Sequence, residues 1–131
     1  MKSLIVEDDF IARRILSKIL SPFGECDIAI DGVEALDAFK LGLVEGTPYD
    51  LVCMDIMMPN LNGHEALKQI RALEEEFGYT GGKGVAVVMT SAQEDPHNVV
   101  EALYHGATIY LVKPVVKQQL LQELRDLGLI D

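Results

Sequence analysis

Along this chain, short continuous apolar runs alternate five times with stretches in which apolar residues return every three to four positions. Such switching predicts strand and helix in turn, the pattern of an α/β domain built on a parallel sheet. The first run covers residues 4–6. Asp8 or Asp9 then caps a helix with Ile11, Ile15, Leu16, Ile19 and Leu20 on one face and Arg13, Arg14 and Lys18 facing outward, ended by Ser21, Pro22 and Gly24. A strand over 26–30 follows, and Asp31-Gly32 opens a helix that turns Val33, Leu36, Phe39 and Leu43 inward and closes at Gly46 and Pro48.

The run at 51–54 is apolar without interruption, as a central strand covered on both faces requires, and it ends in Asp55. After a loop over 56–62, Asn62 and Glu65 have capping-box spacing ahead of a helix marked by Leu67, Ile70, Leu73 and Phe77. A fourth strand is expected over 85–89. Asp95-Pro96 starts a helix containing Val99, Val100 and Leu103, and Gly106 stops it. Residues 109–112 supply the fifth strand, and the last helix carries Val116, Leu120, Leu124 and Leu127. The glycine-rich connector over 74–84 lacks the spacing of a phosphate-binding loop around Gly82-Lys83 and is expected to lie away from the chemistry.

With 131 residues, 49% of them hydrophobic and 24% charged, the chain is expected to form one soluble domain over 1–131, with no output domain. Eleven Lys and Arg against 21 Asp and Glu give a net charge of -10, which disfavours nucleic acid and anionic membranes as partners. No apolar stretch reaches the length of a membrane span, and Glu7-Asp8-Asp9 cuts off any export signal, so the cytoplasm is the expected compartment. Cys26 and Cys53 read as buried thiols; His64, His97 and His105 lack metal-ligand spacing and read as surface or capping residues.

Ligands of doubly wound sheets bind beyond the carboxyl ends of the strands. Here those ends bring Asp8-Asp9, Asp55, Thr90-Ser91 and Lys113 toward one rim. Each has an ordinary reading alone, as a helix cap, a strand end or a solvated charge. Together they crowd carboxylates that repel one another unless a cation joins them, and an all-oxygen, half-open ligand set suits magnesium. Such a site neutralises phosphoryl oxygens while a carboxylate attacks phosphorus.

The motifs Leu4-Ile5-Val6-Glu7-Asp8-Asp9, Met54-Asp55-Ile56-Met57-Met58-Pro59 with Gly63, Met89-Thr90-Ser91-Ala92 and Val112-Lys113-Pro114 resemble the response-regulator receiver domain of two-component signalling. The resemblance implies a flavodoxin-like fold with five parallel strands in order 2-1-3-4-5 and helices on both faces. It implies Asp55 as phosphoacceptor. For Mg2+ it implies Asp9 and Asp55 as ligands, with the Met57 backbone carbonyl and, through water, Asp8. Lys113 would bind the phosphoryl group, Ser91 would be the switch hydroxyl with Thr90 pointing away, Tyr110 the switch aromatic, and the peptide before Pro114 would be cis. The donor would be a sensor histidine kinase or a histidine phosphotransfer protein. A downstream protein partner is implied without being identified, and a homodimer stays open.

On this reading the chain is no enzyme beyond promoting its own phosphorylation and dephosphorylation. A terminal switch and a phosphorelay intermediate stay equally open, as does an interaction module that is never phosphorylated. A phosphatase of the haloacid dehalogenase type would need a second Asp where Met57 stands. The Met57 thioether orients no attacking water, which predicts slow decay of the phosphorylated form, with Gln93 able to offset it.

Overall fold

A computed structural model describes residues 1–58, 60–79, 84–92 and 96–131. Pro59, Gly82, Lys83, Gln93 and Asp95, each given a part above, lie outside the described residues.

Five strands, β1 (Ser3–Val6), β2 (Cys26–Ala29), β3 (Leu51–Asp55), β4 (Ala86–Ser91) and β5 (Ile109–Val112), form one parallel sheet in order β2-β1-β3-β4-β5. Five α-helices alternate with them: α1 (Phe10–Leu20), α2 (Gly32–Val44), α3 (Gly63–Glu76), α4 (Pro96–Tyr104) and α5 (Lys117–Asp126). Side-chain alternation along the strands builds two cores. Leu4, Val6, Val52, Met54, Val87 and Met89 pack with α2 and α3 on one face. Ile5, Leu51, Cys53, Val88 and Leu111 pack with α1 and α5 on the other. Among the described residues no helix is long and apolar enough to cross a membrane.

The helix starts follow from their caps. Asp31 accepts from the Glu34 N–H and Asn62 from the Glu65 N–H, satisfying donors that the first turn leaves free. Several expectations need correction. β4 runs on through Thr90 and Ser91, because pairing of Asp55 with Thr90 on one side and Ser91 with Val112 on the other keeps that backbone extended. Of the predicted inner face of α1, only Leu16, Ile19 and Leu20 reach the core; Ile11 is 67% exposed and, with Ile15, borders an open groove beside Pro114 and Val115. Val33, Val100, Leu103 and Val116 are exposed as well. His64, expected at the surface, is buried on α3, its Nε2 3.7 Å from Glu101 on α4. Glu74 belongs to α3 rather than to a connector. It is buried and takes hydrogen bonds from Arg71 and the Val85 N–H.

Candidate functional site

β1 and β3 are neighbours in the sheet, so the residues that leave their carboxyl ends emerge side by side. β1 stops at Val6, and the next residue, Glu7, is buried. β3 ends in Asp55, which is 6% exposed. Carboxylate oxygens of Glu7, Asp8 and Asp55 lie within 4.8 Å of one another.

Lys113 enters this group from the end of β5. Its N–H donates to the Ser91 carbonyl at 2.7 Å, which ties the start of the turn to β4, and the peptide that follows, into Pro114, is cis. The ammonium bridges two carboxylates, donating to Glu7 Oε1 and to Asp55 Oδ2, the latter at 3.0 Å. Burial opposes the Lys113 charge, yet the hydrogen bonds to Glu7 and Asp55 outweigh it and hold the group above its ordinary pKa. Glu7 is pushed up, first by burial and then by the nearby Asp55 charge, which together overcome its bonds to Lys113 and the Asp9 N–H.

The second oxygen of Asp55 accepts from the Met57 N–H at 3.2 Å, so the chain after β3 folds back over its own carboxylate. Ile56 N–H donates to the Thr90 carbonyl at 2.9 Å, and Gly63 N–H to the Ile56 carbonyl at 2.8 Å, closing the base of the loop. Gly63 can have no side chain. A β carbon there would stand 2.6 Å from the Asp55 carbonyl oxygen and 2.8 Å from Ile56 Cα.

Of the anticipated site residues, Asp8, Asp55 and Lys113 come together. Asp9 does not join the three-carboxylate group: its Oδ2 accepts from the Ala12 N–H at 3.2 Å and caps α1, so the choice between Asp8 and Asp9 as cap falls to Asp9. Glu7 takes the place left in the cluster. Its position just past a buried strand, matching that of Asp55 at the end of β3, was the available signal. Ser91 is buried at the last position of β4; Thr90, in register with Asp55, lies with its Oγ1 3.5 Å from the Met54 carbonyl. Tyr110 is half-buried on β5 and packs against the α2–α3 core. Met57 is an exposed side chain.

Among the described residues three carboxylates share the Lys113 ammonium, with the Arg13 guanidinium held on the Glu7 carbonyl, so negative charge is in excess, and every donor among the three is oxygen. That set fits a hard divalent cation such as magnesium and offers nothing to a softer one.

A family model for the response regulator receiver domain matches residues 3–125. The probable transcriptional regulatory protein SilR of Salmonella typhimurium is 35% identical over 97% of this chain, which spans 50% of the length of that relative. Among solved structures, the receiver domain of Saccharomyces cerevisiae Ssk1, crystallised with the histidine phosphotransfer protein Ypd1, is 32% identical. It superposes with a TM-score of 0.85 over 98% of this chain and 88% of that one. The receiver domain of the Arabidopsis thaliana histidine kinase CKI1, solved with Mg2+ and BeF3-, is 26% identical with a TM-score of 0.81 over 95% of this chain and 89% of that one. Fold, strand order and family match agree: the chain belongs to the response-regulator receiver domains of two-component signalling.

Proposed function

We propose that this receiver is a phosphorylation switch whose acceptor is Asp55. The observation that carries the reading is the convergence of Glu7, Asp8 and Asp55 with Lys113 at the strand ends. Asp55 attacks phosphorus of a phosphohistidine on a histidine kinase or phosphotransfer protein; an oxygen–phosphorus bond forms and the donor's nitrogen–phosphorus bond breaks. Lys113 already sits against an Asp55 oxygen and holds a positive charge where the phosphoryl oxygens gather. Glu7 holds the ammonium in place from behind.

Asp8, Asp55 and the Met57 carbonyl would hold magnesium, with Asp9 left to its cap. The ion supplies charge neutralisation for the incoming phosphoryl oxygens. Ser91, at the end of β4, would approach the acquired phosphoryl group, and Tyr110 would repack beside it. Occupation of Asp55 would thus bias the α4–β5–α5 surface between two arrangements that a downstream protein or a second copy distinguishes. The exposed thioether of Met57 gives an attacking water no strong hydrogen bond, so the adduct should decay slowly.

Intact mass after incubation with acetyl phosphate tests the reading. One phosphoryl group should add to the wild type in the presence of magnesium. Asp55→Asn should gain none, nor should the wild type with the metal chelated. Equal labelling of Asp55→Asn would overturn the assignment.

A further inference from the structure

The loop from Asp55 to α3 is fastened at its base by Gly63 and Ile56, but its outer part reaches across to the start of α2. Asn60 Nδ2 donates to Asp31 Oδ2 at 2.8 Å, while Asp31 Oδ1 caps α2 by accepting from the Glu34 N–H at 2.8 Å. Glu34 in turn accepts from the Ile30 N–H at 2.9 Å, so the anchor is braced from both sides of the helix start. The same two segments also approach closely at a second point: a β carbon on Gly32 would stand 2.6 Å from the Leu61 carbonyl oxygen, so only glycine lets the loop lie this near the start of α2. Asn60 holds φ at 67°, the only positive φ outside glycine among the described residues. Asn tolerates that conformation better than most side chains, but it still needs surrounding contacts to persist. The hydrogen bonds from Glu34 and Asn60 also hold the Asp31 carboxyl below its ordinary pKa, so the acceptor is an anion at neutral pH and the bond is charge-assisted.

We propose that the Asp31–Asn60 hydrogen bond is a positioning element of the phosphoacceptor site: it pins the loop that presents the Met57 carbonyl, and thereby sets how tightly the site holds magnesium. This rests on the proposed reading of Asp55 and its neighbours as a magnesium site. Neither residue touches the reacting atoms. Both bear on the loop at Asn60 and Leu61, three and four positions after Met57, and a loop held there has less to order at the moment of metal binding.

Two variants isolate the bond. Asp31→Ser keeps a capping oxygen for the Glu34 N–H but no longer reaches Asn60; Asn60→Gly keeps the positive φ without the amide. Magnesium dissociation constants come from titration of 15N-labelled protein, following the Met57 amide shift, and melting temperature is measured on the same samples. Each variant should bind magnesium about tenfold more weakly with a melting temperature close to that of the wild type. The double variant should be no worse than either single one, because both remove one shared contact.

Asp31→Asn combined with Asn60→Asp reverses donor and acceptor and should restore wild-type affinity. That exchange decides the matter if a single variant loses fold. Unchanged affinity in the single variants, additive losses in the double one, or failure of the exchange would overturn the tether. A wild type that binds no magnesium would instead sink the parent reading, and the tether with it.

Discussion

At the amino ends of the strands, a half-buried Arg71 and a buried Glu74 form an ion pair in which the groups satisfy one another and the backbone around them. Arg71 donates to the Gly106 carbonyl at 2.7 and 3.1 Å and to the Val85 carbonyl at 2.9 Å, and Glu74 accepts from Arg71 at 2.6 Å and from the Val85 N–H. At the carboxyl ends, Glu7, Asp8 and Asp55 cluster, and among the described residues the side chain ion-paired with them is Lys113, with Arg13 on the Glu7 carbonyl; the Glu7 pKa is driven upward by burial and by its neighbour Asp55. One end is a closed network, balanced one to one. The other is left short of positive charge. The first arrangement holds α3, β4 and the turn into β5 together; the second keeps capacity to accept a cation. Buried charge by itself therefore says little about function. Its stoichiometry and its remaining hydrogen-bond capacity say more.

This contrast can be broken by experiment. Glu74→Ala should cost about 3 kcal/mol in urea denaturation, since it strands a half-buried guanidinium and a buried N–H; a loss no larger than that of a surface substitution would remove the amino-end network as a structural clamp. At the opposite end the sign should reverse. Asp8→Asn relieves repulsion, and without metal it should raise stability by about 0.5 kcal/mol after allowance for solvent screening. Magnesium at ten times its dissociation constant should stabilise the wild type by about 1.4 kcal/mol and Asp8→Asn by much less.

The smallest effect expected is a change of slope. The Glu7 pKa is raised in the folded state, so its contribution to stability is complete below about 4.5, its ordinary value, and is lost as pH rises through the higher folded value. Glu7→Gln cannot ionise, and its denaturation midpoint should fall less steeply than that of the wild type from pH 4.5 toward neutrality. An identical slope would mean that Glu7 is not under that pressure.

How far these features could be read in advance depended on whether local pattern or long-range register decided them. The uninterrupted run ending at Asp55 marks a central strand with a carboxylate at its tip, and Lys113 after the last apolar run is equally plain; the role of Asp55 as acceptor came from family resemblance. Strand order came from family resemblance, because apolar periodicity carries no information about which strands are neighbours. In the sequence Glu7 reads only as a residue that ends an apolar run. Only the depth of β1 in the sheet, with Lys113 arriving from β5, makes it a buried partner. Asp8 and Asp9 were indistinguishable as caps, since either oxygen reaches a first-turn N–H in principle and the exit angle of the chain selects one. His64 and Glu74 do fall on the stripe shared by Leu67 and Ile70, so helical periodicity did contain their burial. Their polarity argues the other way, and the groups they meet, Glu101 at 3.7 Å from His64 and Arg71 with Val85 on Glu74, come partly from elements distant in the chain.

Gly63 leaves α3 seated directly on the backbone of Asp55 and Ile56, with space for a hydrogen and no more. Any heavier substituent would have to lift the helix or displace Asp55. The spacing between α3 and the Asp55 backbone is thus fixed as one unit, and swapping α3 between relatives during engineering would carry the placement of that carboxylate along with it.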